Sequence, residues 1–380
     1  MSVAQFAGPL VRQASAQDSL ARRLPTVTVT RDVQRSPLDL PYAITSIRPD
    51  SLAPGQTHTS VDQTLSLLPG VTVANRTNPS QDTRISIRGF GARSQFGARS
   101  IRILRDGMPL TLPDGQTPID YLDLESVGRI EVIRGAASSL YGNASGGVID
   151  LHSTEAPATP FAVQGRSFTG SGALRRNVGL FGGSTGGVTY IGNIGRTSSD
   201  GYRAYSQQQL TNGFMRATAN VHGTQLALIG MGLDMPVAQN PGALTLAQVD
   251  TAPELADAAS VAKRARKAVH QVQVGVSAQR QLHGDGEIAA QLYTGTRSLF
   301  NPLTFAVVGI GRHQGGAGAH VTVPVTVGNL VNRFSLGADG QWLNDARNNW
   351  ANCNGVAKPT ASCPAIAVAQ GVEQGVLQLD

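Results

Sequence analysis

Long apolar runs are missing from this chain of 380 residues. With no uninterrupted stretch of about 18 hydrophobic residues, a helical membrane span is excluded. Aromatic residues make up only 5% of the chain. That is lean for the aromatic girdles of a complete transmembrane barrel and is expected if part of such a barrel is absent. Lysine is scarce as well, 28 of the 31 basic residues being arginine. The net charge of +6 is spread through strand-like and loop-like segments, with no basic stripe and no aromatic stacking platform. Nucleic acid is therefore not an expected partner. Two cysteines, Cys353 and Cys363, cannot complete a metal site alone and have no histidine beside them. A disulfide closing a surface loop in an oxidising compartment is the expectation. The seven histidines are isolated, with no nucleophile motif or metal-ligand spacing among them. Neither an enzyme nor a cofactor or metal protein is expected.

What is abundant is glycine, 44 residues, together with two kinds of pattern. In the first, centred on Ser60–Ser153, Arg129–Arg134 (RIEVIR) alternates apolar and charged residues as a half-buried strand does. Gly135, Gly142, Gly146 and Gly147 then allow a reversal into a second strand at Val148–Leu151. A helix is expected over Val61–Leu68, with Ser60 and Gln63 as a capping box and Pro69-Gly70 as its end. Strands are expected near Val71–Val73, Arg84–Gly89 and Arg99–Leu104, joined by loops at Asn75–Thr83, Gly91–Ala98 and Thr111–Ile119. GFGARS at Gly89–Ser94 lacks the third glycine of a dinucleotide fingerprint and precedes a strand, so that function is rejected.

After Pro157–Pro160 the second pattern begins. Period-2 segments recur at Val188–Ile194, Gln225–Leu233, Val272–Val276, Ile288–Leu292, Val321–Val327 and Phe334–Ala338. Short turns at Gly183–Gly187 and His283–Gly286 contrast with long connections expected at Asp234–Ala268, Phe300–Gly318 and Leu343–Gly371. One apolar and one polar face suits either a soluble all-β sandwich or a barrel with lipid outside and water within.

Four blocks in order carry a resemblance: Thr64–Val73 (TLSLLPGVTV), Ile85–Phe90 (ISIRGF), Ile101–Leu110 (IRILRDGMPL) and Leu124–Ser153 with its Arg-Gly, Leu-Tyr-Gly and Gly-Gly-Val-Ile elements. Together they resemble the plug domain of TonB-dependent outer-membrane receptors, and a plug ahead of the period-2 region favours a barrel over a sandwich. The expected fold is an α+β plug followed by an antiparallel transmembrane β-barrel. Residues 1–23 are read as a signal remnant, 24–155 as TonB-box segment and plug, and 156–380 as the amino-terminal part of the barrel. About ten strands are expected where plugged receptor barrels take ~22, so a truncated barrel and an amino-terminal fragment are expected.

The resemblance implies function without chemistry: energised uptake of a scarce ligand, a ferric siderophore or ferric citrate first. Thr26, Val27, Thr28, Val29 and Thr30 are similar to the TonB box, through which the periplasmic partner TonB would pull. Apical plug loops imply a ligand floor of Arg76, Asn78, Arg93, Ser94, Gln95, Phe96, Asp114 and Gln116. Arg88 and Arg134 would seat the plug by pairing with barrel carboxylates. Lys263–Lys267 (KRARK) would meet lipopolysaccharide phosphates or an anionic ligand, or simply be solvated. The alternative is a β-rich surface or adhesive protein that transports nothing, or an inert receptor fragment.

Overall fold

The computed structural model describes residues 43–49, 60–74, 78–94, 97–135, 141–328, 330–354, 356–358 and 371–379. Among the described residues, nine strands and the short helix Asp62–Leu65 build the plug. In chain order the strands are β1 Ala43–Ile47, β2 Val71–Ala74, β3 Arg84–Ile87, β4 Ala98–Arg99, β5 Ile101–Arg105, β6 Met108–Pro109, β7 Gln116–Thr117, β8 Val127–Arg134 and β9 Gly147–Ser153. Five of them form one sheet in the order β1-β8-β9-β5-β6, while β2 pairs with β3 and β4 with β7. β5 runs parallel to β9, and β8 antiparallel to it. Strand β8 reads as expected: Ile130 and Val132 are buried between sheet and helix, packed with Leu65, Leu68, Ile101, Ile103 and Ile149.

Two plug expectations change. The three strands expected near Val71–Val73, Arg84–Gly89 and Arg99–Leu104, read as one small sheet, are divided among separate sheets, and β1 was not expected from the sequence. The helix is shorter than Val61–Leu68, with Val61 as its N-cap and no side-chain cap bond. Its end tightens into i→i−3 turns, Leu67 N–H to Thr64 carbonyl (3.2 Å) and Leu68 N–H to Leu65 carbonyl (3.1 Å), which bring Leu68 inward beside Leu65. Gly70 then takes a left-handed φ of 76°, and its carbonyl accepts from Arg88 N–H at 3.1 Å.

Around the plug runs one antiparallel sheet: β10 Ala162–Gly170, β11 Leu174–Thr185, β12 Val188–Ser199, β13 Gln208–Val221, β14 Thr224–Gln239, β15 Arg266–Gln281, β16 Glu287–Pro302, β17 Ala306–Val327 and β18 Leu330–Cys353. Each pairs with the next, and β19 Val356–Lys358 and β20 Gly371–Leu379 both add to β18. Connections at one rim are tight, at 186–187, 222–223, 282–286 and Gly328; the other rim carries 200–207 and 240–265, the latter with helices Leu246–Thr251 and Ala258–Ala262. Short turns mark the periplasmic side of an outer-membrane barrel.

The alternation is inside out. On β15, Val272, Val274 and Val276 are 41%, 45% and 49% exposed, whereas Gln271 and Gln273 are 3% and 0% exposed. A soluble sandwich buries its valines; this sheet presents them outward and turns its amides toward the plug, as a wall facing lipid must. Leu228, Leu292, Leu336 and Trp342 continue the outward apolar face.

Two connections expected to be long are strands instead. Phe300–Gly318 lies almost wholly in β16 and β17, and Leu343–Cys353 completes β18. Glycines hid these strands by weakening the apolar signal, yet they make room for rings across the pair. A Cβ on Gly309 would lie 2.6 Å from the Trp350 ring, and one on Gly315 would lie 2.8 Å from Trp342 Nε1. Cys353 is disulfide-bonded; Cys363, its expected partner, lies outside the described residues.

Candidate ligand cavity and plug seat

Five plug carboxylates meet the barrel wall, and each finds a cation or amide there. Glu125 Oε1 accepts from Arg176 Nη2 at 2.8 Å and Nε at 3.1 Å, with Arg176 Nη1 donating to Thr197 Oγ1 at 2.7 Å. Arg166 approaches the other oxygen of Glu125 at 3.5 Å. Asp123 Oδ2 accepts from Asn193 Nδ2 at 2.5 Å. Asp106 Oδ1 lies 3.7 Å from Arg216 Nη1. Lys267 Nζ bridges two plug loops, 2.7 Å from Asp82 Oδ1 and 3.1 Å from Asp120 Oδ2. Arg297 takes Asp120 with both ends of its guanidinium, at 3.2 and 3.0 Å.

Burial by itself would raise the Asp120 carboxyl, but Arg297 and then Lys267 hold it well below the usual carboxylate range. Asp120 is thus an ionised hub, and such a buried group is tolerable only because it is paired and hydrogen-bonded. Neutral contacts complete the seat. Tyr121 Oη donates to Gln273 Oε1 (3.1 Å), and Gln273 Nε2 donates to the Pro109 carbonyl (2.9 Å). The Arg105 guanidinium lies 4.0 Å from the Phe214 ring centroid, a cation–π contact between plug and wall. Burial lowers the pKa of Arg105 against the pull of Asp106 and Asp123. Met108 adds an apolar foot among Ile191, Phe214, Ile229 and Tyr293.

The seating arginines expected from the sequence have other contacts. Arg134 Nη1 donates to the Pro69 carbonyl at 2.7 Å, within the plug. Arg88 is exposed at a left-handed φ of 50°. Among the described residues no ion pair joins either to a barrel carboxylate. In the pairs described above, the carboxylates sit on plug loops and the cations on the wall.

Above this seat, at the long-loop rim, lies a cavity of about 270 Å³ between plug and wall. Asn78, Asp82, Asp120 and Asp123 line it from the plug, and Arg176, Thr197, Ser206, Gln208, Asn212 and Lys267 from the barrel. Asn78 Nδ2 donates to Asn240 Oδ1 at 3.0 Å, tying a plug loop to the long 240–265 connection. The side-chain oxygen of Asn212, another lining residue, is buried without a protein hydrogen-bond partner. The lining is hydrogen-bonding and carries three carboxylates, Asp82, Asp120 and Asp123, against two cations, Arg176 and Lys267, which suits it to holding a polar solute. No group of three histidine, cysteine or acidic side chains is arranged to hold a metal ion among the described residues.

Of the described loop residues expected to bind ligand, Asn78 alone lines this cavity. Arg93 is exposed; Ser94 is buried with its hydroxyl given to the Gly97 carbonyl at 2.8 Å. Asp114 accepts from Gln116 N–H at 3.0 Å, and Gln116 pairs with Arg99 across β4 and β7. Arg76, Gln95 and Phe96 lie outside the described residues, as do Thr26–Thr30. The basic cluster divides. Lys267 turns inward to the hub, Lys263 Nζ donates to the Asn352 carbonyl at 3.2 Å, and Arg266 lies 5.8 Å from the Phe300 ring centroid. Strand alternation from Lys267 through Gln273 was the available signal for an inward lysine.

Residues 36–148 match the family described as TonB-dependent Receptor Plug Domain. The chain is 28% identical over 216 residues to a hemin receptor of Yersinia enterocolitica, covering 52% of this chain and 30% of that protein. It is 26% identical over 213 residues to a ferric enterobactin receptor of Pseudomonas aeruginosa, covering 50% of this chain and 28% of that one. In fold it resembles the unliganded ferric citrate transporter FecA, with a TM-score of 0.68 at 19% identity, over 85% of this chain and 50% of FecA. The chain therefore spans under a third of the curated relatives it matches and half of that solved structure. Residues 36–148 are thus a TonB-dependent receptor plug domain, seated against a wall of outward apolar strands, and the chain has the fold of the plug and part of the barrel of such outer-membrane receptors.

Proposed function

We propose that the whole protein takes up a scarce ligand across the outer membrane with energy supplied through TonB, and that the ligand is a ferric chelate, a siderophore or ferric citrate. The observation that carries this reading is the cavity at the outer rim, whose floor is made by plug loops held to the wall through Asp82 and Asp120. Solute bound there touches the same loops that seat the plug. The relatives' descriptions, a hemin receptor, a ferric enterobactin receptor and a ferric citrate transporter, support iron in chelated form as the cargo.

On this reading Thr26–Thr30 is the extended peptide that adds to TonB as a strand. β1, the first described strand after it, forms the edge of the plug sheet and pairs with β8. A pull from the amino-terminal side would peel β1 from β8 one bond at a time. The apical residues Arg76, Arg93, Gln95, Phe96, Asp114 and Gln116 would complete the ligand surface with Asn78. Exposed Arg264, in the 240–265 connection, is placed to meet lipopolysaccharide phosphates.

Uptake of a panel of radiolabelled ferric chelates by cells carrying the full-length gene tests the reading. One chelate is expected to accumulate and to lose uptake, but not surface binding, on Val27→Pro, which removes a backbone donor and fixes φ. No accumulation of any chelate would favour a surface protein that transports nothing.

A further inference from the structure

We infer that the outer surface of the barrel carries a specific phospholipid site near its periplasmic rim. An outward-facing groove of about 490 Å³ lies across β13 to β16. Its shape follows from side-chain size. Ala217 and Ala219 on β13, and Ala278 paired with Ala290 across β15 and β16, form low ground on either side of Leu226 and Leu228, with Leu292 at its edge. The partners across the sheet keep these residues in two adjacent rows, Ala219–Leu226–Ala278–Ala290 and Ala217–Leu228–Val276–Leu292. Such a trough takes a hydrocarbon chain along its length, and its lining offers almost nothing polar.

The next row toward the short turns supplies a charge. It reads Val221, Thr224, Arg280, Ile288 and Val321, each paired with its neighbour. Arg280 is exposed, faces outward on the same side as Ala278, and is the one charged residue of the row. An arginine on a lipid-facing strand is costly at the bilayer midplane and tolerated at the interface, where its stem lies on apolar surface and its guanidinium reaches headgroups. β15 ends one residue later, at Gln281, so Arg280 stands at the membrane's edge.

A planar fork of donors directly beyond an acyl-chain trough is complementary to a phosphodiester with its chain attached. The short turns place this end in the periplasmic leaflet, so the occupant is a glycerophospholipid, with lipopolysaccharide excluded by leaflet. Anionic phosphatidylglycerol should be held more tightly than phosphatidylethanolamine, because the latter's ammonium opposes Arg280.

Native mass spectrometry of the full-length receptor, extracted in mild detergent and supplied with phosphatidylglycerol and phosphatidylethanolamine, tests this. One retained phospholipid per chain is expected, with phosphatidylglycerol preferred. Arg280→Gln should lower its retention roughly tenfold, the worth of a charge-assisted hydrogen bond, and Ala278→Leu, which fills the trough, should lower it comparably. Leu336→Ala, an outward change elsewhere on the wall, should leave it unaltered. Equal retention in all four proteins would show a non-specific lipid annulus and overturn the site. So would retention of lipopolysaccharide in place of phospholipid. Both substitutions lie on the outward face, and heat-modifiable migration in gels checks that each barrel still folds.

Discussion

Arg297 and Asp120 form a bidentate ion pair between barrel wall and plug, Nη1 to Oδ1 at 3.2 Å and Nη2 to Oδ2 at 3.0 Å. Lys267 approaches the same carboxylate at 3.1 Å while also holding Asp82. One carboxylate thus secures two strands of the wall, and one lysine secures two loops of the plug. Apolar packing also crosses the interface beside these pairs, with Leu233, Met235, Ala238 and Val269 of the wall in one buried cluster with the plug core.

Asp120 should matter more than either of its partners. Asp120→Asn leaves Arg297 and Lys267 facing each other without their shared counter-charge, and is expected to cost about 3–5 kcal/mol of plug stability. Arg297→Met leaves Asp120 still paired with Lys267 and should cost less. Urea unfolding of the plug, followed by protease access from the periplasmic side, gives the order; a larger loss for Arg297→Met would contradict it. Since the folded carboxyl sits below its ordinary range, its contribution is present above that range and is lost as pH falls through the depressed value.

His152 should show the opposite dependence. Its Nε2 lies 3.3 Å from Glu131 Oε2 and 3.7 Å from Asp150 Oδ2, with Arg129 on the far side of Glu131 at 3.1 Å. Burial lowers its pKa, but Asp150 and Glu131 outweigh that and raise it above the ordinary histidine value. A raised histidine stabilises fully below its unfolded value and loses that contribution as pH rises through its folded one. His152→Gln should therefore destabilise the plug at pH 5.5 and little in alkaline buffer, as read from melting temperatures across pH. A constant difference at all pH values would show that the histidine acts by packing alone.

Gly275 on β15 is where the apolar foot of the plug touches the wall. A Cβ there would lie 2.5 Å from Met108 Sδ and 3.2 Å from the Leu292 carbonyl. Gly275→Val is expected to unseat Met108 and cost about 1–3 kcal/mol by overpacking. Met108→Ala in the same chain should recover part of the loss. Failure of that rescue in thermal unfolding would place the strain in the β15–β16 backbone instead.

Charge on the outward face of β15 should be tolerated according to its depth in the bilayer. Val274→Lys puts an ammonium in lipid and should cost about 2–4 kcal/mol of membrane stability if that row lies near the midplane. His270→Lys, outward but near the long-loop rim, should cost little. Folding into lipid vesicles measured by tryptophan fluorescence separates them, and equal tolerance of both would argue against a lipid-facing wall.

Much of this architecture was legible in the chain itself. Period-2 alternation marked Val272–Val276 and Ile288–Leu292 as strands, and the ordered blocks around Ile85–Phe90 and Gly146–Ile149 marked a plug, because strand pleat and turn chemistry are local properties. Gly309, Gly315 and Gly316 concealed a strand, because their purpose is to accept Trp350, Trp342 and Tyr293 from neighbouring strands, and no local window contains both partners. Period alone did not fix the direction of the alternation, since valine-out and glutamine-in has the same period as its reverse; the plug ahead of it is what pointed to an outward apolar face.

The seat needed the tertiary structure altogether. Lys267 and Asp82 are 185 residues apart, Arg297 and Asp120 177, and Arg176 and Glu125 51. The sequence by itself determined that a glycine-punctuated plug precedes amphipathic strands, because each depends on neighbours along the chain. Which charges meet, and that carboxylates ride on the plug while cations stand on the wall, was decided only by the curl of the sheet around it, which turns each inward side chain toward one particular loop.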